Sequence, residues 1–318
     1  MALKDYLQPF YKWDECPHVE RLRSEKHPIS QQHVKHQWAL IDKYILTDPI
    51  ADRNVHELRR GDILDFRQRL LIIKTDRQAN RIIGVLKTCI KEGVFREELD
   101  RDPTLGVGRI RHGSQERGVF TQKEIKALFP AEGPGPWGDL KAYVCFLLAA
   151  TTGMRRGEIL ALRWGDVGLK EKVYHVRQAW IDDTHIGLPK WRKVRENLPL
   201  PDVVVKKLKE LRTERLHVLP DALVLHKDDG SRLSLRWWQD KFRAAMVKAK
   251  IKAKERTLTA HSFRHSLNTL LRAQGIPDEQ IRAAMGWTTA KVQDIYTHLS
   301  AEHLRSQASA VDRIFKTP

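Results

Sequence analysis

Five short segments of this 318-residue chain hold the residue types from which a reaction could be built. In chain order they are Thr152-Gly-Met-Arg155-Arg-Gly-Glu158, the basic stretch Lys190-Trp-Arg192-Lys193-Val-Arg195, the run His261-Ser-Phe-Arg264-His265, the triplet Met285-Gly-Trp287, and Tyr296. Several chemistries can be set aside at once. His261 and His265 stand one helical turn apart, as in zinc peptidases, but the residue after His261 is serine where glutamate is needed, and no third ligand is evident. No P-loop seats a nucleoside triphosphate, and no GxSxG turn presents a serine nucleophile. Cys16, Cys89 and Cys145 form no CxxC pair, which argues against a thiolate zinc site or a disulfide framework. Neither a metal nor a cofactor is expected. What is left is arginine, lysine, histidine and tyrosine on a chain of formal net charge +17, and such a surplus points to a polyanionic partner, most often nucleic acid. Charge alone does not separate that reading from a basic protein kept soluble by its surplus.

The order and spacing of these segments resemble the tyrosine recombinase (phage integrase) family. The family pattern is TGxR, a lysine on a β-hairpin, HxxR, a GH or GW pair, and a tyrosine nine positions later. The match runs from about Thr121 to Ser300, and its specificity lies in the joint order, since TGxR or HxxR alone is weak. The resemblance implies a site-specific DNA recombinase or integrase that cleaves and rejoins DNA through a covalent 3′-phosphotyrosine, without ATP or metal. It further implies double-stranded DNA as partner, self-association as a tetramer on two DNA sites, and strand exchange through a Holliday junction, as in integration or excision of a mobile element. Some members also use an accessory DNA-bending or directionality factor. Two alternatives stay open: a type IB topoisomerase with the same tyrosine chemistry, and a DNA-binding regulator that keeps the fold without the reaction.

By the same resemblance, Arg155 and Arg264 clamp the non-bridging oxygens of the scissile phosphate, a task suited to a permanently charged, rigid fork of donors. Tyr296 is the nucleophile; a phenol with an ordinary pKa near 10 needs help to lose its proton. His261 would accept that proton, and Lys190 would protonate the departing 5′ oxygen. Trp287 stands where most members carry histidine; an indole donates a hydrogen bond but cannot shuttle a proton, so its role is support. Glu158, one turn after Arg155, would orient the guanidinium. His265 is either a phosphate-side partner or an ordinary helix histidine. Arg192, Lys193 and Arg195 on the hairpin, and Lys250 and Lys252 in the basic run that ends at Arg256, would grip the DNA backbone.

These residues need elements to carry them. Apolar spacing predicts helices over His33 to Ile45, Asp62 to Ile73 and Asn80 to Gly93, with Leu3 to Tyr11 as an opening helix. A stretch rich in glycine and basic residues, Gly106 to Gly113, reads as a linker. Beyond it Thr121-Gln-Lys-Glu124 is a capping box. Pro134 to Gly138 is a loop, and Asp139 to Ala150 is an apolar core helix. Lys172 to Trp180 and Asn197 to Leu200 read as strands of a short sheet. Helices resume over Asp202 to Leu216, Leu235 to Lys250, Ser262 to Gln274 and Asp278 to Met285. Leu304, Ala308, Val311 and Ile314 give the tail a helical face, to be packed on its own domain or on a neighbouring protomer.

The expected fold is therefore mainly α with a small β-sheet (α+β). By the same resemblance, a helical-bundle core-binding (SAM-like) DNA-binding domain would occupy residues 1–112 and a catalytic domain with a tail helix residues 113–318. The charge follows this division, with +4 before residue 113 and +13 after it. Family resemblance adds that the two domains would clamp opposite faces of a duplex. The longest apolar run, Ala142 to Ala150, falls short of the ~18 residues a spanning helix needs. No secretory leader is visible in MALKDYLQPF, so a cytoplasmic, DNA-associated protein is expected.

Overall fold

A computed structural model describes residues 1–27, 29–111, 118–181, 185–189, 194–214, 218–253, 256–286, 308–309 and 311–315. The chain divides into two compact units, Met1–Gln115 and Glu116–Pro318.

The first unit is helical. Its helices are α1 (Leu3–Leu7), α2 (Pro17–Ser24), α3 (Gln31–Leu40), α4 (Arg60–Ile73) and α5 (Asp76–Phe95). A π turn over Ile41–Ile45 extends α3, so the expected helix to Ile45 is present with a changed winding in its last turn. The opening helix stops at Leu7, because Pro9 follows and Tyr11 takes a left-handed conformation (φ 54°). Leu3, Leu7, Ile41, Phe66, Leu86 and Ile90 are fully buried in its core. Glu92, also buried, accepts from Arg21 Nη2 and is bonded to His18 Nδ1, both at 2.8 Å, which staples α2 to α5.

Gly106 to Ile110 is not the loosely packed linker its composition suggests. Arg60 Nε donates to the Leu105 carbonyl, Lys87 Nζ to that of Val107, and Arg67 Nη1 to that of Gly108. Asn80 binds both the N–H and the carbonyl of Ile110, each at 2.9 Å. Donors on α4 and α5 thus hold the extended backbone against the first unit, and Val107 is 3 % exposed. Glycine content alone could not reveal these partners, because main-chain carbonyls present the same acceptor whatever the side chain. Residues 112–117, where the division falls, lie outside the described residues.

The second unit is built around α7 (Leu140–Thr152), preceded by α6 (Gln122–Leu128), whose start is the expected Thr121–Glu124 capping box. Every residue of α7 from Ala142 onward is buried. Trp137 stacks on Phe146 (centroids 4.3 Å apart) and Phe120 on Phe263 (4.6 Å), forming an aromatic core with Phe129 and Phe242. After α8 (Arg156–Leu160), β1 (Val167–Gly168), β2 (Val173–Val176) and β5 (Arg195–Pro199) form an antiparallel sheet in the order β1-β2-β5. A second pair joins β3 (Ala179–Trp180) to β4 (Ile186–Gly187). The single strand expected over Lys172 to Trp180 is thus two, in different sheets. The break comes at Gln178, whose side chain donates to the Ala161 carbonyl while Trp180 Nε1 donates to that of Leu160. These bonds turn β3 onto the end of α8, so closely that a Cβ on Gly157 would lie 2.4 Å from the Trp180 carbonyl oxygen.

The remaining helices are α9 (Asp202–Thr213), α10 (Leu235–Lys248), α11 (Ser262–Ala273) and α12 (Asp278–Met285). Leu216, the expected end of α9, lies outside the described residues. So does Leu304 of the tail, but residues 311–315 are helical. Val311 packs with Leu267, Leu271, Ile281 and Met285, and Phe315 lies 5.7 Å from Phe129. Asp312 accepts from the Asp202 and Val203 N–H groups at the start of α9, both at 3.2 Å. Here the described part of the tail packs on its own unit.

Candidate active site

The site begins where α7 ends. Gly153 adopts the left-handed conformation (φ 64°) that closes many helices and that a Cβ disfavours, and a Cβ there would also press on Met285 at 3.1 Å. The chain then reverses and Arg155 becomes the N-cap residue of α8. Its N–H donates to Glu158 Oε2 at 2.8 Å, and its Nη1 donates to Oε1 at 3.0 Å. One carboxylate thus holds both the backbone and the head of Arg155.

Glu158 holds a second guanidinium as well. Arg195 Nη2 donates to Oε2 at 2.6 Å, with the two side chains 2 % and 1 % exposed. Burial pulls the Glu158 carboxyl upward, but Arg195 first and Arg155 next outweigh it, so its pKa falls below the ordinary 4.5. The group is an anion at neutral pH. This corrects the expectation that Arg195 grips DNA backbone: its head is enclosed in the protein, with Nη1 on the Ala284 carbonyl at 2.9 Å. Nothing in the sequence marks Arg195 out from its neighbouring cations; the buried carboxylate that engages it is brought there by folding.

Arg264 sits in the first turn of α11, 2 % exposed. It donates to the carbonyls of Gly153 and Met285, tying the turn after α7 to the end of α12. Burial, then the neighbouring Arg155 and Arg195, push its pKa down to about 9, which leaves it protonated at neutral pH. His261, at the N-cap of the same helix, is exposed. The half-buried His265 packs edge-on against it, the rings 78° apart with centroids at 5.0 Å.

Arg155, His261 and Arg264 line one open cleft of about 560 Å³, walled on its apolar side by Met154, Trp238 and Phe242. Folding thus brings Arg155 to the turn that carries His261 and Arg264, more than a hundred positions away in sequence. Lys250 and Lys252 are exposed just beyond α10, whereas Arg256, from the same basic run, is paired with Glu124 at 2.6 Å. Lys190, Arg192, Lys193, Trp287 and Tyr296 lie outside the described residues. Among the described residues no group of three or more His, Cys, Asp or Glu could hold a metal ion. No described helix is long and apolar enough to cross a membrane.

A helical unit followed by an α+β unit with Arg155 and the buried Arg264 at an open, cationic cleft defines a DNA strand-transfer enzyme of the tyrosine recombinase class. Residues 119–303 match the model of the phage integrase family, and the chain belongs to that family. Its activity is site-specific DNA recombination. The chain is 24 % identical over 282 residues to the ICEBs1 integrase of Bacillus subtilis (strain 168), covering 85 % of this chain and 76 % of that one. Its fold is similar to that of the Tn1549 transposon integrase in complex with a circular intermediate DNA (TM-score 0.70, 16 % identity, 97 % of this chain and 99 % of that one). It is also similar to lambda integrase, solved as a tetramer bound to a Holliday junction (TM-score 0.66, 14 % identity, 91 % and 78 %).

Proposed function

We propose that this chain integrates or excises a mobile element by cutting and resealing duplex DNA through Tyr296. The observation that carries the reading is the convergence of Arg155, His261 and Arg264 on one cleft. The Tyr296 Oη attacks the scissile phosphorus as its proton passes to His261. The phosphorus–O5′ bond breaks, Lys190 protonates the leaving oxygen, and a 3′-phosphotyrosine remains. Arg155 and Arg264 face the non-bridging oxygens, where negative charge grows in the transition state, and their fixed positions avoid reorganisation at that moment. Trp287 supports the phosphate side. The covalent bond conserves the phosphodiester energy, so a second 5′ hydroxyl reverses the step without ATP.

Lambda integrase on its junction supports an assembly of four protomers on two sites. The partner is double-stranded DNA in the cytoplasm, joined in some reactions by a DNA-bending or directionality factor. Lys250 and Lys252 grip phosphates without reading sequence, as would Arg192 and Lys193. A suicide substrate, nicked so that the 5′ hydroxyl diffuses away, tests the reading. The native chain accumulates covalent adduct and Tyr296→Phe does not. Failure of the native chain to form adduct on any DNA of its element's ends would refute it, and relaxation of supercoils without strand exchange between paired sites would favour the topoisomerase alternative.

A further inference from the structure

Resting on the recombinase reading, we infer that Arg195 is a positioning residue that sets Arg155 and the end of α12 relative to each other. One guanidinium makes both connections. Nη2 bonds the Glu158 carboxylate that holds the Arg155 backbone and head, and Nη1 bonds the Ala284 carbonyl. The last carbonyls of a helix have no intrahelical partner. In α12 the Gly286 N–H returns to Arg282 and Ala283, while Arg195 takes Ala284 and Arg264 takes Met285. Two cations therefore cap this C-terminus, the end that favours positive charge.

Gly286 shows how closely the two parts fit. It is left-handed (φ 64°), and a Cβ there would lie 3.0 Å from Arg195 Cδ and Nε. The glycine of the Met-Gly-Trp triplet is thus needed both for its conformation and for the arginine stem beneath it. Arg195 opens β5, five positions after Lys190 in the sequence, and Gly286 directly precedes Trp287. The arginine consequently stands between the Arg155 turn and the end of α12. It touches no reacting atom; its effect on the reaction passes through Glu158 and through α12.

A buried ion pair could serve stability alone, so the test separates rate from folding. Single-turnover adduct formation on the suicide substrate, at saturating DNA and well below the melting temperature, is measured with Arg195→Met and Arg195→Lys. A displacement on the ångström scale costs on the order of 100-fold in rate, and that loss is expected for Arg195→Met with DNA affinity within about threefold of native. Arg195→Lys, able to reach one of the two acceptors at a time, recovers only part of the rate. In an Arg155→Lys background, Arg195→Met adds less than about threefold, since both changes act on one unit. Should Arg195→Met not fold, the Arg195→Lys pair of rates, alone and with Arg155→Lys, carries the same comparison. Native-like cleavage with a lowered melting temperature would overturn the inference, as would full multiplication of the two losses. Absence of adduct with the native chain would instead count against the recombinase reading itself.

Discussion

Replacing Glu158 by glutamine is the most informative single change, because one carboxylate serves two guanidiniums. Three bonds end on it: the Arg155 N–H at 2.8 Å, Arg155 Nη1 at 3.0 Å and Arg195 Nη2 at 2.6 Å. Glutamine keeps the shape but turns one oxygen into a donor, facing either Arg155 or Arg195 with donor against donor. Arg195, 2 % exposed, then has a buried charge without its counter-ion. Breaking one partner of such a pair costs about 3–5 kcal/mol. At roughly 2–4 °C per kcal/mol for a unit of this size, the second unit should melt about 6–20 °C lower. The first unit contains none of these groups and should melt unchanged, so calorimetry of the whole chain carries its own control. The pH dependence follows from the depressed pKa of Glu158. Its contribution is complete above the unfolded value near 4.5 and is lost as pH falls through the lower folded value. The gap between native and Glu158→Gln should therefore be full at pH 7 and narrow as the pH falls below that value. A melting temperature within about 2 °C of native at pH 7, where a shift of that size is under ~1 kcal/mol, would refute the reasoning.

Other perturbations address separate steps. Arg155→Lys should lower the cleavage rate far more than DNA affinity, because its contact strengthens in the transition state; equal losses in both would move the phosphate clamp elsewhere. Neutralising Lys250 and Lys252 together should weaken binding across DNA sequences and flatten the slope of log affinity against log salt by about 0.9 for each phosphate left without its lysine, as read from a salt titration. Gly157→Ala should destabilise the second unit in a thermal melt, since its Cβ would meet the Trp180 carbonyl oxygen at 2.4 Å and that oxygen belongs to backbone that must move.

Much of the architecture is written in local pattern. Capping at Thr121, the apolar run of α7 and the periodicity of α5 each depend on residues within a few turns of one another, so helices there could be anticipated. The strand over Lys172 to Trp180 could not be divided correctly, because the bonds that split it run from Gln178 and Trp180 to the end of α8. The residues after Gly106 read as a linker for a related reason: the donors that fix them come from α4 and α5, and nothing in glycine-rich backbone announces that it will be held.

The sequence by itself determined the motifs and their order, and with them the family, since Thr-Gly-Met-Arg, His-Ser-Phe-Arg and Met-Gly-Trp are short strings whose meaning needs no fold. It also determined that charge would concentrate after residue 112. Only tertiary structure decided which cations are available to a phosphate. Arg195 and Arg256 are engaged by Glu158 and Glu124, while Lys250 and Lys252 stay exposed. A guanidinium's role depends on whether an anion meets it, and for Arg195 and Arg256 that anion comes from segments 37 and 132 positions away.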